Sequence, residues 1–302
     1  MKGFKCGFVS IVGRPNAGKS TLLNSLLKEK VSIISTMPQT TRYTIRGILN
    51  LSKAQIVFVD TPGIHLFNDT LAAELNALAL SALEGVEAIL YVVDCTRAPA
   101  KEEEKIMQAL LRQSQKAPVI MALNKIDKSK KHAGDYIEMW HRKAKSGKGP
   151  LEYFIPVSGL KGKNLNELID ALLEVLPESE PFYDKDTVTD FPLTYRVADI
   201  IREKLCRAFK EEVPHNLAVE VSEIDDGETM TKVQATILAA KQSQKLIVVG
   251  KKGSMIKEIG SQARKDLEEL FGKKVFLGLW VKVEKDWYNK TRVLRELGYT
   301  GI

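Results

Sequence analysis

The sequence predicts two domains in tandem: an α/β domain on a doubly wound sheet, then a smaller α+β domain. Three observations carry this reading. Up to residue 176, apolar strand-like runs alternate with helical stretches, the pattern of a sheet covered by helices on both faces. An acidic, turn-rich stretch containing Pro177, Pro181 and Pro192 then breaks the periodicity and reads as a linker over 177–192. Residues 193–302 resume in another order: a helix, two strands, a helical region around Gly-Lys-Lys-Gly, and a last strand. At 302 residues the chain is long enough for two cores.

Composition narrows the class. Apolar residues make up 44% and charged residues 27%, as in soluble globular proteins. No apolar run reaches the roughly 18 residues that span a bilayer. The start, MKGFKCGFVSIVG, has neither the apolar stretch nor the cleavage site of a secretory leader. Cys6, Cys95 and Cys206 lie far apart, which points to a reducing cytoplasm rather than disulfides or a zinc site. Net charge is +7, and residues 245–302 hold 13 Lys and Arg against 7 Asp and Glu, leaving 32 against 31 before them. A polyanionic partner for the C-terminal end is expected, the alternative being a solvated basic surface.

The strands are expected near 5–12, 44–51, 55–60, 88–94, 118–123 and 152–157. The helices are expected near 19–28, 70–83, 102–116, 134–146 and 164–175. Between the first strand and the first helix stands Gly13-Arg14-Pro15-Asn16-Ala17-Gly18-Lys19-Ser20, followed by Thr21. This is the phosphate loop in its strand–loop–helix setting. Its glycines let backbone N–H groups turn inward onto phosphate oxygens, and the helix aims its positive end at them. Lys19 adds a charge on the β- and γ-phosphates, and the Ser20 hydroxyl can ligate Mg²⁺. The strand QIVFVD ends in Asp60-Thr61-Pro62-Gly63. Asp60 can hold Mg²⁺ through water and Gly63 can offer its N–H to a γ-phosphate; as alternatives, Asp60 is a cap and Gly63 a turn. The strand PVIMAL leads to Asn124-Lys125-Ile126-Asp127, where one carboxylate accepting two guanine N–H groups would reject adenine. The strand YFIPV leads to Ser158-Gly159-Leu160.

In this order the four motifs resemble the translation-factor-class GTPases, and PQTTRYTIRG at 38–47 resembles the first switch of their TrmE-Era-EngA group. The resemblance implies GTP and GDP as ligands with Mg²⁺. It implies that Thr41, or else Thr40, is the switch threonine on that metal. It implies that the Ser158-Gly159-Leu160 loop reads guanine by backbone N–H, and Gly159 departs from the group's usual Ala. Ile64 stands where Ras-like GTPases carry the glutamine that orients the attacking water. By the same resemblance Asn16 is a ligand for K⁺, standing where an arginine finger would; the competing reading makes it a turn residue. His65 is read as a surface loop histidine without a catalytic role.

In the second half, 193–212 places Leu193, Val197, Ile200, Ile201, Leu205 and Phe209 on one helical stripe. NLAVEVSEI (216–224) and TKVQATIL (231–238) alternate as half-buried strands, with DDG helping the turn. The apolar run before Gly250 reads as a strand when taken alone. A helix to about 260, another through ARKDLEELF and a strand over 275–283 follow. The whole order, with Gly250-Lys251-Lys252-Gly253 between helices, resembles a type II KH domain. Such a module clamps about four nucleotides of single strand. The two lysines and Lys257 would meet phosphates. Ile247, Val249, Ile256 and Ile259 would underlie the bases, with core packing the competing reading, and the favoured one for Val249. One phosphate loop followed by a KH pattern (residues 1–176 and 193–302) resembles the Era family over essentially the whole chain. That resemblance implies a bacterial cytoplasmic GTPase and a monomer. It implies binding to the 3′ end of small-subunit ribosomal RNA and to the 30S subunit during assembly. Peripheral inner-membrane contact is also implied by the family, without an anchor in the sequence to support it. An RNA scaffold with negligible turnover and a membrane-signalling GTPase are the rival readings.

Overall fold

A computed structural model describes residues 3–35, 37, 40–63, 69–113, 117–144, 153–210 and 212–300. It divides into two compact units. The first comprises Met1–Ser32, Thr41–Phe67 and Leu75–Asp190; the second comprises Ile33–Thr40, Asn68–Glu74 and Phe191–Ile302.

The first unit is the expected α/β domain. Its strands are β1 (Lys5–Val12), β2 (Ile45–Leu51), β3 (Ala54–Asp60), β4 (Ala88–Asp94), β5 (Val119–Asn124) and β6 (Tyr153–Pro156). They lie in the order β2-β3-β1-β4-β5-β6, and only the pairing of β2 with β3 is antiparallel. Strands β3, β4 and β5 are buried along their whole length, which is why they read as continuous apolar runs. Helices α1 (Lys19–Leu27), α3 (Lys101–Gln113), α4 (Ala133–Ala144) and α5 (Leu165–Val175) fall within a few residues of their expected places. Helix α2 (Thr70–Ser81) does so too. The parallel strands end together, so the loops after β1, β3, β5 and β6 gather along one sheet edge.

The stretch expected as a linker is held against this unit up to Asp190. Cys6 N–H donates to the Pro177 carbonyl at 3.1 Å, and Ile48 N–H to the Val188 carbonyl at 2.8 Å. The buried Gln55 side chain takes the N–H groups of Phe182 and Tyr183 on Oε1 and donates to the Tyr183 carbonyl from Nε2. Phe182 stacks on Phe8 with ring centroids 5.0 Å apart. The prolines stop regular structure without freeing the chain.

In the second unit α6 (Leu193–Ala208) precedes β7 (Leu217–Asp226), β8 (Met230–Ala239), α7 (Gln242–Val249), a 3₁₀ turn over Lys251–Gly253, α8 (Ser254–Phe271), β9 (Lys274–Val283) and α9 (Thr291–Glu296). The sheet order is β7-β8-β9, with β8 and β9 parallel. The apolar run before Gly250, a strand when taken alone, is helix α7, as the order with Gly-Lys-Lys-Gly between helices expects: it buries Val248 while Leu246 and Ile247 stay exposed, a helical rather than alternating pattern. Other expectations are corrected. Helix α8 is one helix through Gly260. Its buried stripe of Ile259, Ala263 and Leu267 continues across the glycine, and that packing outweighs a helix cost of about 1 kcal/mol. Ile259 is therefore core and leaves the expected base platform. Helix α6 stops at Ala208, four residues early. The short α9 gave no periodic signal, although Val293 and Leu294 are buried.

Candidate functional site

The phosphate loop joins β1 to α1 and closes around the Lys19 ammonium. Lys19 is 6% exposed and donates to the carbonyls of Gly13 at 3.0 Å and Arg14 at 3.3 Å. Burial pushes its pKa down to about 8, against the pull of the Asp60 carboxylate. Phosphate oxygens would raise it again. The protonated fraction of the empty site falls above about pH 8, so nucleotide binding there takes up a proton and weakens as pH rises. Calorimetry at about pH 9 in buffers of different ionisation enthalpy should detect that uptake. An equal heat in all buffers would exclude it.

Around the loop the metal-ligating candidates converge. Ser20 Oγ donates to Asp60 Oδ2 at 2.8 Å and lies 3.0 Å from Thr41 Oγ1. Adjacent ligands in a Mg²⁺ octahedron of about 2.1 Å radius stand about 3.0 Å apart, so this pair fits two neighbouring vertices. Asp60 is fully buried with Oδ1 unpartnered, as a group awaiting a metal-bound water would be. Burial raises its pKa, opposed by Lys19 and by hydroxyl hydrogen bonds from Ser20 and Ser32. Thr40 differs from Thr41: its hydroxyl donates to the Met37 carbonyl at 2.5 Å, and its own carbonyl accepts from Arg202. Gly63 faces Pro15 so closely that a Cβ there would come within 2.9 Å of the Pro15 nitrogen. Ile64 and His65 lie outside the described residues.

Two loop residues carry other duties. The Arg14 guanidinium is 6% exposed and donates to Glu103 of α3 at 3.2 Å, so its side chain is committed away from the loop's concave face. Tyr136 of α4 also donates to Glu103, tying the loop to two helices. Asn16 sits at φ 62°, a left-handed conformation that asparagine tolerates. That accounts for an asparagine here without a cation and leaves its side chain compatible with one.

The loops after β5 and β6 are braced by their own hydrogen bonds. Asn124 Nδ2 donates to the Ala17 carbonyl at 3.0 Å, and its Oδ1 accepts from the N–H groups of Lys125 and Gly159. It thus joins the phosphate loop to the 158–160 loop. Lys125 reaches the Asn16 carbonyl at 2.5 Å and Asp94 Oδ2 at 2.8 Å. Asp94 closes β4; burial alone would raise its pKa, but hydrogen bonds from Lys125 and Thr96 hold it at about 2. Asp127 Oδ1 accepts from the buried Ser158 hydroxyl at 2.5 Å, which fixes its carboxylate. Gly159 lies against α1, where a Cβ would meet the Leu22 backbone at 3.0 Å. Leu160 stands exposed beside it. Asp94, Glu103, Asn24 and Ser32 were missed in the sequence; an acidic residue closing a buried strand was the one available signal, for Asp94.

In the second unit, Lys251, Lys252 and Lys257 are exposed and Ile256 is half-buried. The two glycines of the turn differ. At Gly250 (φ 73°) a Cβ would strike Met255 at 2.7 Å, so this glycine is needed for packing. At Gly253 (φ 79°) a Cβ would meet nothing within 4 Å. A groove of about 800 Å³ lies between α8 and β9, lined by Ile256, Lys257, Gly260, Arg264, Phe276 and Leu279 among others. Lys257, Gly260 and Arg264 share one face of α8 at helical spacing. The charge-rich pattern concealed this floor of small and apolar residues.

A phosphate loop, a carboxylate set for guanine and a KH fold in one chain define a GTPase joined to an RNA-binding type of module. The family model described as 50S ribosome-binding GTPase matches residues 8–125, and that of the KH domain matches 212–288. GTPase Era of Geotalea daltonii is 44% identical over 299 residues, covering 98% of both chains, and that of Aquifex aeolicus is 42% identical over 303 residues. A solved structure of an Aquifex aeolicus Era variant with GDP and aluminium fluoride matches at a TM-score of 0.92, with 40% identity over 99% of this chain and 100% of that one. So does, at the same TM-score and coverage, an Era in complex with MgGDPNP and nucleotides 1506–1542 of 16S ribosomal RNA. The chain belongs to the Era family of GTPases.

Proposed function

We propose that this chain hydrolyses GTP while bound through its KH domain to the 3′ end of small-subunit ribosomal RNA, and that it acts in assembly of the 30S subunit. The observation that carries the reading is the pairing in one chain of a phosphate loop and an Asn-Lys-Ile-Asp loop with a KH unit whose exposed Gly-Lys-Lys-Gly turn precedes α8. The relative solved with MgGDPNP and 16S ribosomal RNA nucleotides supports the same partners. Lys19 and the loop N–H groups hold the β- and γ-phosphates. Ser20 and Thr41 supply hydroxyl ligands to Mg²⁺, and Asp60 a carboxylate through water. Held there, Mg²⁺ would offset charge on the phosphate oxygens. Asp127 accepts the two guanine N–H groups, and the backbone of Ser158, Gly159 and Leu160 lines the base. Gly250, Lys251, Lys252 and Gly253 meet the RNA backbone, with Ile256 and Lys257 behind them. Three free, buried cysteines accord with a cytoplasmic site of action. Crosslinking in cells followed by sequencing of the bound RNA tests the reading. Reads piling up at the 3′ end of the small-subunit RNA are expected, and a spread over unrelated transcripts would overturn it.

With Ile64 in place of a polar residue, K⁺ held by Asn16 is the proposed source of charge balance at the transferred phosphate. Turnover should be faster in K⁺ than in Na⁺ at equal ionic strength, and Asn16→Ala should remove that difference while GTP still binds. Equal rates in both salts would return Asn16 to its turn.

A further inference from the structure

Helix α1 does more than present Lys19 and Ser20. About one and a half turns past its start, Asn24 reaches the chain that leaves the helix. Its Oδ1 accepts the N–H groups of Val31 and Ser32, both at 3.0 Å, and its Nδ2 donates to the Ser32 carbonyl at 2.7 Å. Three hydrogen bonds from one side chain thus fix both backbone groups of Ser32. The Ser32 side chain is 1% exposed, and its Oγ donates to Asp60 Oδ2 at 3.1 Å. The same oxygen receives Ser20 Oγ at 2.8 Å. Both donors therefore load one carboxylate oxygen, and the other, Oδ1, is left buried and without a partner.

This arrangement has a directional consequence. A carboxylate with one anchored oxygen cannot turn about its terminal bond, so Oδ1 is held in one orientation. A Ser20 hydroxyl whose proton is committed to Asp60 presents its lone pairs elsewhere, toward the side where Thr41 Oγ1 lies 3.0 Å away. The chain also passes from the first compact unit to the second between Ser32 and Ile33.

We infer that Asn24 and Ser32 are positioning residues for the magnesium site: Asn24 clamps Ser32, Ser32 anchors Asp60, and the pair sets Mg²⁺ affinity and so the rate of GDP release. The inference rests on the reading of Asp60 as the carboxylate that holds Mg²⁺ through water. Partners of this kind, which orient metal-binding groups without touching the metal, typically change metal affinity about 10- to 100-fold when removed.

The test follows release of a fluorescent GDP analogue from the full chain over a series of buffered free Mg²⁺ concentrations. Ser32→Ala removes one hydroxyl and leaves no new unpaired donor, so it should fold. It should raise the Mg²⁺ concentration that half-slows release by about tenfold. Release in excess chelator should match the wild type. Asn24→Ala should shift the midpoint in the same direction, and the double variant should shift it no further than the larger single effect, because both act through one chain of contacts. An unchanged midpoint in Ser32→Ala overturns the inference. So does an equal acceleration with and without Mg²⁺, which would mean general loosening of the nucleotide site. Asp60→Asn separates the two levels. If it leaves the midpoint unmoved, the metal reading of Asp60 is wrong; if it moves the midpoint and Ser32→Ala does not, only the relay fails.

Discussion

Asp127→Asn should cost GTP affinity roughly a hundredfold or more and make xanthosine triphosphate the preferred nucleotide. The two hydrogen bonds that a guanine N–H pair makes to a carboxylate are charge-assisted, each about 1.5–3 kcal/mol. Losing both, with donors left facing a donor amide, gives a loss of that order. Xanthine carries an oxygen where guanine carries its amine, and the new Asn amide can donate to it. The brace under the residue favours a clean exchange. Ser158 is buried and donates to Asp127 Oδ1 at 2.5 Å, and an asparagine can keep its oxygen on Ser158 and turn its amide to the base. A competition assay with both nucleotides checks this. Unchanged preference for GTP would remove Asp127 from base reading.

The residues that meet a ligand were legible in the sequence because the ligand dictates their type and spacing. Phosphate demands a wrapped backbone and a lysine at the start of a helix. A strand must end where a carboxylate is to stand at the sheet edge. Residues that hold those residues obey no such spacing. Glu103 meets Arg14 across 89 positions, and Lys125 meets Asp94 across 31; only the sheet order brings them together. Asn24 and Ser32 are eight positions apart, but their meaning depends on Asp60, which the β1–β3 pairing delivers. Local pattern failed where a segment was short or its punctuation misleading. Four apolar residues before Gly250 do not distinguish a strand from one helical face. Gly260 looked like a break because propensity was weighed without the stripe on either side of it. The prolines of 177–192 signalled the end of regular structure correctly, yet said nothing of the hydrogen bonds from Gln55 that pin the segment down.

Gly253→Asp should lower single-stranded RNA affinity by roughly a hundredfold or more, through a new charge beside the phosphates and a side chain where the RNA backbone must lie. The position is suited to the test. A Cβ at Gly253 meets nothing within 4 Å of its own chain, so the variant should fold, at a strain of about 1–2 kcal/mol for its φ of 79°. Gly250 would be the wrong choice, since any side chain there collides with Met255 and unsettles the turn itself. Gly253→Ala carries the same strain without the charge and should fall between. GTP hydrolysis measured without RNA should persist in both, because the residues of the nucleotide site belong to the first unit. The charge contribution is read separately. Lys251→Ala with Lys252→Ala should flatten the log–log dependence of affinity on salt by about 0.7 per lost phosphate contact, near 1.4 for the pair. Weaker binding with an unchanged slope would mean that the lysines shape the turn without meeting phosphate. Full affinity in Gly253→Asp would mean that RNA does not cross this turn, and the groove between α8 and β9 would then need another ligand.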